Sequence, residues 1–153
     1  MPPTFSFRKY HSQDFEALYA IDQACYPPAI AYSRRELRNY LRFPGAACLV
    51  VEADNQAAGF ILTAHHGDSG YIVTIDVLEP YRRLGTGTML LHEAERELAA
   101  SGVRKVVLET ATNNVPAIAF WKKHGYRTQG VRKDYYPGGI DAFSMHKQLT
   151  HGI

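Results

Sequence analysis

The loop "EPYRRLGTGTMLL", Glu79 to Leu91, limits most strongly what this chain can fold into. It joins an apolar β segment, "GYIVTIDVL", to a stretch with the three-four spacing of an amphipathic helix. The first turn of a helix leaves backbone N–H groups unpaired, and glycines such as Gly85 and Gly87 let an anion approach them closely. The sequence therefore predicts a strand, a phosphate-binding loop and a helix in succession.

Two other phosphate-binding patterns do not fit this loop. The dinucleotide fingerprint G-x-G-x-x-G requires a third glycine where Leu90 stands, and no Gly-Lys-Ser/Thr sequence follows for a P-loop. Because G-x-G also occurs in simple tight turns, the loop alone leaves the function open.

A second informative stretch is "NNVPAIAFWKKHGY", Asn113 to Tyr126. An Asn at its start and Gly125 after its end are typical helix caps, so we predict a helix from Asn114 to His124. The bulky Trp121 lies near the middle of this helix.

The remaining pattern predicts an α+β fold. We expect strands at "TFSFRKY", 46–53, 57–66, 70–78, 104–110, "YRTQGVR" and "DAFSMHKQL", and helices from about Ser12, over Arg34 to about Arg42, and over about 86–101. The short "DNQ" and "GDS" turns imply antiparallel neighbours. The order β-α-α-β-β-β-α-β-α-β-β indicates a mixed, mainly antiparallel sheet of about seven strands flanked by about four helices, not a doubly wound one.

Local signals set the helix ends. Ser12 or Asp14 is expected to cap the first helix, whose apolar side should hold Phe15, Leu18, Tyr19 and Ile21 or Ala24. "YPP" at 26–28 then breaks that helix. Ser33 and Glu36 form a Ser-x-x-Glu capping box for the second helix, and Gly102 should end the long one.

The composition is that of an ordinary globular protein, with 153 residues, 46% apolar and 21% charged. A chain of this size buries roughly 70% of its unfolded surface, so we expect a single domain over residues 1–153. A net charge of +2 is too small to indicate a nucleic-acid or membrane partner, although a small anionic ligand fits.

Targeting and metal signals are weak. The N-terminus lacks the apolar core of a signal peptide, and no apolar run approaches the roughly 20 residues of a membrane span, which predicts a cytoplasmic protein. Cys25 and Cys48 lack CxxC spacing and are expected to be two reduced, partly buried thiols. His65 and His66 should point to opposite faces of a strand, so we expect no metal.

The two stretches together resemble motifs A and B of the GCN5-related N-acetyltransferases, the GNAT family. "RRLGTG" is similar to motif A, Arg/Gln-x-x-Gly-x-Gly/Ala. Motif B, Asn-x-x-Ala-x-x-(apolar)-Tyr-x-Lys-x-Gly-Phe, is matched at the following positions: Asn114, Ala117, Phe120, Lys123, Gly125 and Tyr126. The resemblance covers nearly the whole chain and implies the GNAT fold with acetyl-CoA as co-substrate.

The resemblance also implies a CoA site. The backbone of Ile75, Asp76 and Val77 is expected to pair with the pantetheine arm as an added strand would. Motif A is expected to hold the pyrophosphate through the following residues: Arg82, Arg83, Leu84, Gly85, Thr86, Gly87 and Thr88. Asn114, Ala117, Phe120 and Lys123 of motif B should form one wall of the channel for the arm.

Within the family, "VLEPYRRLGTGTMLL" and "KDYYPGGIDAFSM" are most similar to protein N-terminal acetyltransferases, both the eukaryotic catalytic subunits and the bacterial RimI-type enzymes. That resemblance implies that Tyr135 and Tyr136, with Tyr26, Pro27 and Pro28, line the slot for the acceptor's N-terminus. Tyr is also common in hairpins, and Pro-Pro can simply stop a helix, so purely structural roles stay open.

Glu109 is the base that the resemblance implies. On its strand it shares a face with Val107, so its carboxylate should be partly desolvated. Asp76 and Glu79 are rival acids on the neighbouring strand and loop. Tyr71 aligns with a strand tyrosine that holds a catalytic water in some relatives, and here it could order a water together with Glu109; a core aromatic is the alternative.

The sequence departs from motif B at Trp121, where family members usually carry a Tyr that serves the departing thiolate. An indole N–H donates a hydrogen bond but does not release its proton. Because a thiol has a pKa of about 8.5, thiolate is a tolerable leaving group without a strong acid. We expect Trp121 to contact the sulfur through its N–H and to shape the pocket.

Three functions follow. The first is acetyl transfer from acetyl-CoA to a protein or peptide N-terminus by a monomer or weak homodimer. The second is the same chemistry on a small-molecule amine or a lysine side chain, because acceptor sites vary on one fold. The third is a non-catalytic CoA-binding sensor or accessory subunit, which the Trp121 departure suggests.

Overall fold

The computed structural model describes residues 2–149. Its strands are β1 (Phe5–Lys9), β2 (Ala47–Ala53), β3 (Gln56–His66), β4 (Ser69–Val77), β5 (Lys105–Ala111), β6 (Arg127–Tyr136) and β7 (Ile140–Gln148). Its α-helices are α1 (Phe15–Cys25), α2 (Arg34–Leu41), α3 (Thr86–Ala100) and α4 (Val115–Lys123). The predicted element order and the α+β class are confirmed.

The seven strands form one sheet in the order β1-β2-β3-β4-β5-β7-β6. Five of the six neighbouring pairs are antiparallel, and β4 with β5 is the parallel pair. That parallel ladder holds only three pairs and ends at Tyr71 and Val107. Beyond this point β4 and β5 separate, which leaves a gap in the middle of the sheet that we call the splay.

Each face of the sheet carries its own core. One core packs α3 and α4 on the sheet and includes Leu90, Leu91, Leu98, Leu108 and Trp121. The other packs α1 and α2 on the opposite face and includes Phe15, Leu18, Leu37, Val50 and Phe60. Burial of these side chains on both faces holds the two halves of the sheet in place around the splay.

Two predicted helix caps occur in the structure, and helix α1 starts later than predicted. Ser33 caps α2 in the predicted box with Glu36, and the Asn114 side chain accepts a hydrogen bond of 3.2 Å from the Ala117 N–H. α1 starts at Phe15 because residues 12–14 form a 3₁₀ turn, in which Asp14 pairs with Arg8 instead of capping the helix.

Of the two alternatives predicted for the apolar side of α1, Ile21 is buried and Ala24 is exposed. Phe7 is 37% exposed on β1, which is an edge strand of the sheet.

The two cysteines are free and partly buried, as predicted. Within residues 2–149, no helix is both long and apolar enough to cross a membrane. The same range contains no group of three or more His, Cys, Asp or Glu side chains placed to hold a metal ion.

Candidate active site

The splay places backbone groups of β4 where a ligand can reach them. Residues 72–77 of β4 pair with β3 on one side, and no strand within residues 2–149 pairs with them on the other. The register with β3 shifts between Leu62 and Thr63, which leaves Val73 as an extra residue on β4. Such a bulge bends the strand away from its neighbour, so it helps to open the gap.

The N-terminus of α3 forms a cradle of free N–H groups beside the splay. The first hydrogen bond of the helix runs from the Met89 N–H to the Gly85 carbonyl at 3.0 Å, so the N–H groups of residues 83–88 precede it and have no helical partner. Arg83 and Gly85 have positive φ values of 63° and 80°, which turns successive N–H groups towards one point. This arrangement fits a pyrophosphate, as the sequence predicted for the loop.

α4 lies against this cradle as a second wall. A Cβ added at Gly87 would lie 3.3 Å from a ring carbon of Phe120, so a side chain at residue 87 would press on this ring where α3 and α4 approach each other. Thr88 Oγ1 lies 3.1 Å from His124 Nε2 across the same contact. Ala117 is partly buried beside this contact, and Lys123 is exposed at the end of the helix.

Two backbone carbonyls of β4 at the splay already accept hydrogen bonds. The Tyr26 hydroxyl donates to the Ile75 carbonyl at 2.9 Å, and Arg82 Nε donates to the Val77 carbonyl at 2.7 Å. Pairing of a pantetheine arm with Ile75 to Val77 therefore has to share these carbonyls with protein side chains, which the sequence did not predict. The Tyr26 hydroxyl consequently points into the sheet edge and not into open space.

Glu109 and Tyr71 meet at the point where the β4–β5 ladder ends. The Tyr71 hydroxyl donates a hydrogen bond of 2.8 Å to Glu109 Oε1, so the contact is direct and does not require an intervening water. Tyr135 donates to the same oxygen at 3.2 Å, and Arg132 Nε lies 4.0 Å from Oε2. Burial, and after it the Glu109 carboxylate, raises the pKa of Tyr71, which keeps its hydroxyl protonated as a donor.

The Glu109 carboxylate is nearly closed off from solvent, with 7% of its side chain exposed, whereas 59% of the Arg132 side chain is exposed. Glu109 is thus a shielded carboxylate. One of its oxygens accepts two hydrogen bonds, and the other faces the exposed guanidinium of Arg132. Such a group can accept a proton from an amine that enters beside it.

Further tyrosines surround this carboxylate. Tyr136 stacks edge-on with Tyr135 at 4.9 Å, and Tyr32 and Tyr40 form a second edge-on pair at 5.2 Å. Burial, with the charge of Glu109 as a lesser cause, raises the pKa of Tyr40. We call the space between these two pairs the tyrosine slot.

Sequence reasoning missed Tyr32, Tyr40 and Arg132. The two tyrosines follow "YPP" in a segment read only for its capping box, and their spacing across a loop and a helix has no regular period.

The other predicted residues are spread around the site. Pro27 and Pro28 are exposed in the turn after α1, where the Pro27 carbonyl accepts from the Ile30 and Ala31 N–H groups. Glu79 is exposed in a 3₁₀ turn away from Tyr71. Asp76 is 1% exposed on the face of the sheet that carries α1, so it has no open path to an incoming amine. Of the three acids, Glu109 is the one that lies beside Tyr71 and Tyr135 where the β4–β5 ladder ends.

Trp121 is 5% exposed and belongs to the core on the α3 side. Its ring packs edge-on against Phe120 at 5.1 Å and Tyr126 at 5.3 Å. The structure therefore shows Trp121 as a packing residue of α4.

Residues 15–126 match the model of the acetyltransferase (GNAT) family. This match includes the glycine-containing loop before α3, the helix α4, and the strands β4 and β5 that form the splay. The chain belongs to the GNAT acetyltransferase family. It is accordingly an acyltransferase that uses acetyl-CoA, and the free N–H groups before α3 fit that co-substrate.

Relatives of this GNAT protein include an N-alpha-acetyltransferase of Sulfurisphaera tokodaii, 36% identical over 68% of this chain and 70% of that protein. A [ribosomal protein bS18]-alanine N-acetyltransferase of Salmonella typhimurium is 34% identical over 63% of this chain and 68% of that protein. The crystal structure of the ribosomal-protein-S18-alanine N-acetyltransferase of Escherichia coli superposes with a TM-score of 0.87 at 25% identity, covering 98% of this chain and 97% of the other.

These relatives give no support to a non-catalytic sensor, since each carries the name of an acetyltransferase. The departure at Trp121 is thus a variation within an enzyme family.

Proposed function

We propose that this GNAT enzyme acetylates the α-amino group of a protein or peptide N-terminus, with Glu109 as the base. The observation that carries the proposal is the shielded Glu109 carboxylate, hydrogen-bonded by Tyr71 and Tyr135 at the mouth of the tyrosine slot. The names of relatives that acetylate α-amino groups or a ribosomal-protein alanine support the same acceptor class.

Deprotonation of an α-amino group does not require a strong base. An α-amino group has a pKa of about 8, against about 10.4 for a lysine side chain, so removing its proton at neutral pH costs less. Glu109 takes that proton, directly or through a water, and later releases it to solvent, and the neutral nitrogen attacks the thioester carbonyl. The new N–C bond forms and the C–S bond breaks. The nitrogen then loses its second proton, and the departing thiolate takes up one proton and leaves as CoASH.

The chain's own groups set up this step. The N–H groups of residues 83–88 hold the pyrophosphate, and the unpaired edge of β4 orients the arm that brings the acetyl thioester. Asn114 and the Phe120 side of α4 close the other wall. Tyr71 and Tyr135 hold Oε1 and so fix the direction of the Glu109 carboxylate, and Oε2, which has only the exposed Arg132 guanidinium at 4.0 Å, is assigned to the amine.

We assign the acceptor to the tyrosine slot. Tyr135 and Tyr136 come from the last hairpin, and the wall opposite is formed by the segment that begins at Tyr26 and includes Tyr32. An extended peptide end fits between two aromatic walls, where hydroxyl groups can bond its backbone.

Trp121 is assigned a contact to the sulfur through its indole N–H, in addition to its packing role. A hydrogen bond to a developing thiolate stabilises it without transferring a proton. Trp121→Phe removes that bond and keeps an aromatic ring in the core.

The acceptor class is tested by measuring CoASH release with acetyl-CoA and four kinds of acceptor: peptides with free N-termini, the same peptides with blocked N-termini, blocked peptides that contain lysine, and polyamines. Release with free N-termini alone is the expected result. Release only with the lysine peptides or polyamines would overturn the acceptor assignment and leave the enzyme class intact.

A single domain over residues 1–153, a cytoplasmic location and a monomer or weak homodimer complete the proposal. Sedimentation of the purified protein at several concentrations tests the oligomeric state.

A further inference from the structure

Two aspartates, Asp22 on α1 and Asp76 on β4, lie buried together behind the strand that borders the splay, with exposures of 0% and 1%. Asp76 Oδ1 accepts a hydrogen bond of 2.5 Å from Thr74 Oγ1. Asp22 Oδ2 accepts one of 2.8 Å from the backbone N–H of Tyr32. The proposed mechanism uses neither carboxyl group.

Each of the two carboxyl groups has a second oxygen that makes none of these hydrogen bonds. Asp22 Oδ1 and Asp76 Oδ2 are both buried, and neither has a hydrogen-bond partner within residues 2–149 when both groups are written as carboxylates. Two neighbouring carboxyl groups in a buried space cannot both ionise readily, and they commonly share a proton. One proton between the two unpaired oxygens satisfies both of them. Burial, followed by the Asp22 carboxyl, raises the pKa of Asp76 well above its ordinary value.

The pair is attached to one wall of the tyrosine slot. Asp22 holds the backbone of Tyr32, whose hydroxyl donates to the Val73 carbonyl at 3.2 Å. Asp76 holds Thr74 Oγ1, which lies 3.5 Å from the Tyr26 hydroxyl on the Ile75 carbonyl. The segment from Tyr26 to Tyr32 therefore contacts β4 at both ends, and each end leads back to one of the two aspartates.

We propose that Asp22 and Asp76, sharing one proton, form a positioning pair that holds the wall from Tyr26 to Tyr32 against β4 and so shapes the acceptor slot. This inference rests on the proposed function, because it takes that wall as the acceptor's. The pair acts through Tyr26 and Tyr32 and contacts no substrate itself. Its loss should weaken acceptor binding and leave the cradle for the CoA pyrophosphate unchanged.

The shared proton makes the wall sensitive to alkaline pH. Once the proton is lost, two negative charges face each other in a buried space, and the wall is pushed off β4. The titratable and charged groups that face the pair come from every element packed on it: Cys25 and Tyr26 at the end of α1, Tyr32 in the loop, Cys48 on β2 and Arg82 after β4. Burial raises the pKa of both Cys25, to about 11, and Tyr26, so these two side chains stay uncharged around neutral pH.

The pair is tested with the variants Asp22→Ala, Asp22→Asn and Asp76→Asn. Asp14→Asn is the control, because Asp14 lies at the other end of α1 and pairs with Arg8 and not with the wall. Asp22→Ala removes the acceptor for the Tyr32 N–H and should raise the KM for the acceptor peptide about tenfold or more, with the KM for acetyl-CoA within about twofold of the wild type. Asp76→Asn and Asp22→Asn each supply an amide that donates permanently to the remaining carboxylate. Both should keep the neutral-pH KM and abolish its alkaline rise.

Hydrogen exchange of the backbone amides of residues 26–33, apart from Pro27 and Pro28, which carry no amide hydrogen, provides a second readout that does not depend on the acceptor. Exchange of these amides should be faster in Asp22→Ala than in the wild type. After correction for the intrinsic pH dependence of exchange, the wild type should lose protection at alkaline pH, and Asp76→Asn should keep it. If free N-termini are not acetylated, the proposed function fails while this exchange result still decides the positioning pair.

If Asp22→Ala does not fold, the two asparagine variants decide. The inference is overturned if both asparagine variants keep the wild-type pH dependence of acceptor KM and of exchange. It is equally overturned if Asp22→Ala folds with unchanged exchange over residues 26–33, or if it raises the KM for acetyl-CoA and not that for the acceptor.

Discussion

Replacement of Glu109 by Gln is the sharpest test of the proposed base. The amide keeps an oxygen that can accept from Tyr71, at 2.8 Å in the wild type, and it nearly keeps the volume of a side chain that is 7% exposed. It cannot take a proton. General-base catalysis contributes about 10²- to 10⁴-fold, so kcat/KM for the acceptor peptide should fall by at least about 100-fold at pH 7.

The pH profile of the variant gives an independent magnitude. Without a base, the reaction depends on the fraction of acceptor that is already neutral, which for a pKa of about 8 is roughly 10% at pH 7 and roughly 90% at pH 9. The variant's kcat/KM should therefore rise about tenfold over that interval. Steady-state CoASH release at each pH measures it, with Glu79→Gln as the matched control, because Glu79 is the exposed acid away from Tyr71. A Glu109→Gln enzyme within about threefold of the wild type at pH 7 would refute the assignment.

Four other predictions follow from the packing and the charges. Trp121→Phe should lower kcat about tenfold, the loss of one hydrogen bond to the sulfur, with little change in the KM for acetyl-CoA; unchanged turnover measured at saturation would leave Trp121 only its core role. Gly87→Val should weaken acetyl-CoA binding measured by calorimetry, because even a Cβ would lie 3.3 Å from the Phe120 ring; undiminished affinity would show that the α3–α4 contact does not shape the cradle. Leu18→Ala should cost about 2–5 kcal/mol in the free energy of unfolding by urea, because Leu18 is fully buried, whereas an exposed alanine of α1 changed to serine should cost far less. The pKa of Asp76 in the folded protein lies above its value of 3.8 in the unfolded chain, so its contribution to stability is full below that pH and is lost as pH rises. Asp76→Asn should therefore gain stability relative to the wild type as pH rises above about 4, and parallel stability curves would contradict the raised pKa.

The element order and the cradle were predictable because their signals are local. The capping box from Ser33 to Glu36 and the Asn114 cap act over three residues, and both occur as predicted. The free N–H groups before α3 follow from the start of a helix at a glycine-containing turn, whatever packs around it. The error at the start of α1 has a local cause too, since Asp14 pairs with Arg8 on β1 and not with the helix.

The candidate site was predictable only where a resemblance named its residues. Glu109 and Tyr71 were expected to act together, and the structure adds that they touch directly, across 38 residues of sequence. Tyr32, Tyr40 and Arg132 were missed because no periodicity relates a loop, a short helix and an edge strand. The hydrogen bond from the Tyr26 hydroxyl to the Ile75 carbonyl was also not predicted. It depends on how the turn after α1 packs on β4, which no local pattern indicates.

The sequence by itself determined which segments are helices and strands, where the phosphate-binding turn lies and which family the motifs belong to, because turns, caps and side-chain periods act within a few residues. The tertiary structure alone decided that the β4–β5 ladder ends at Tyr71 and Val107, and which side chains face one another beyond that point. It also decided that Asp22 and Asp76 are buried together, with two oxygens that one proton can satisfy. Burial and contact depend on how distant segments pack on the sheet, and no local pattern records that packing.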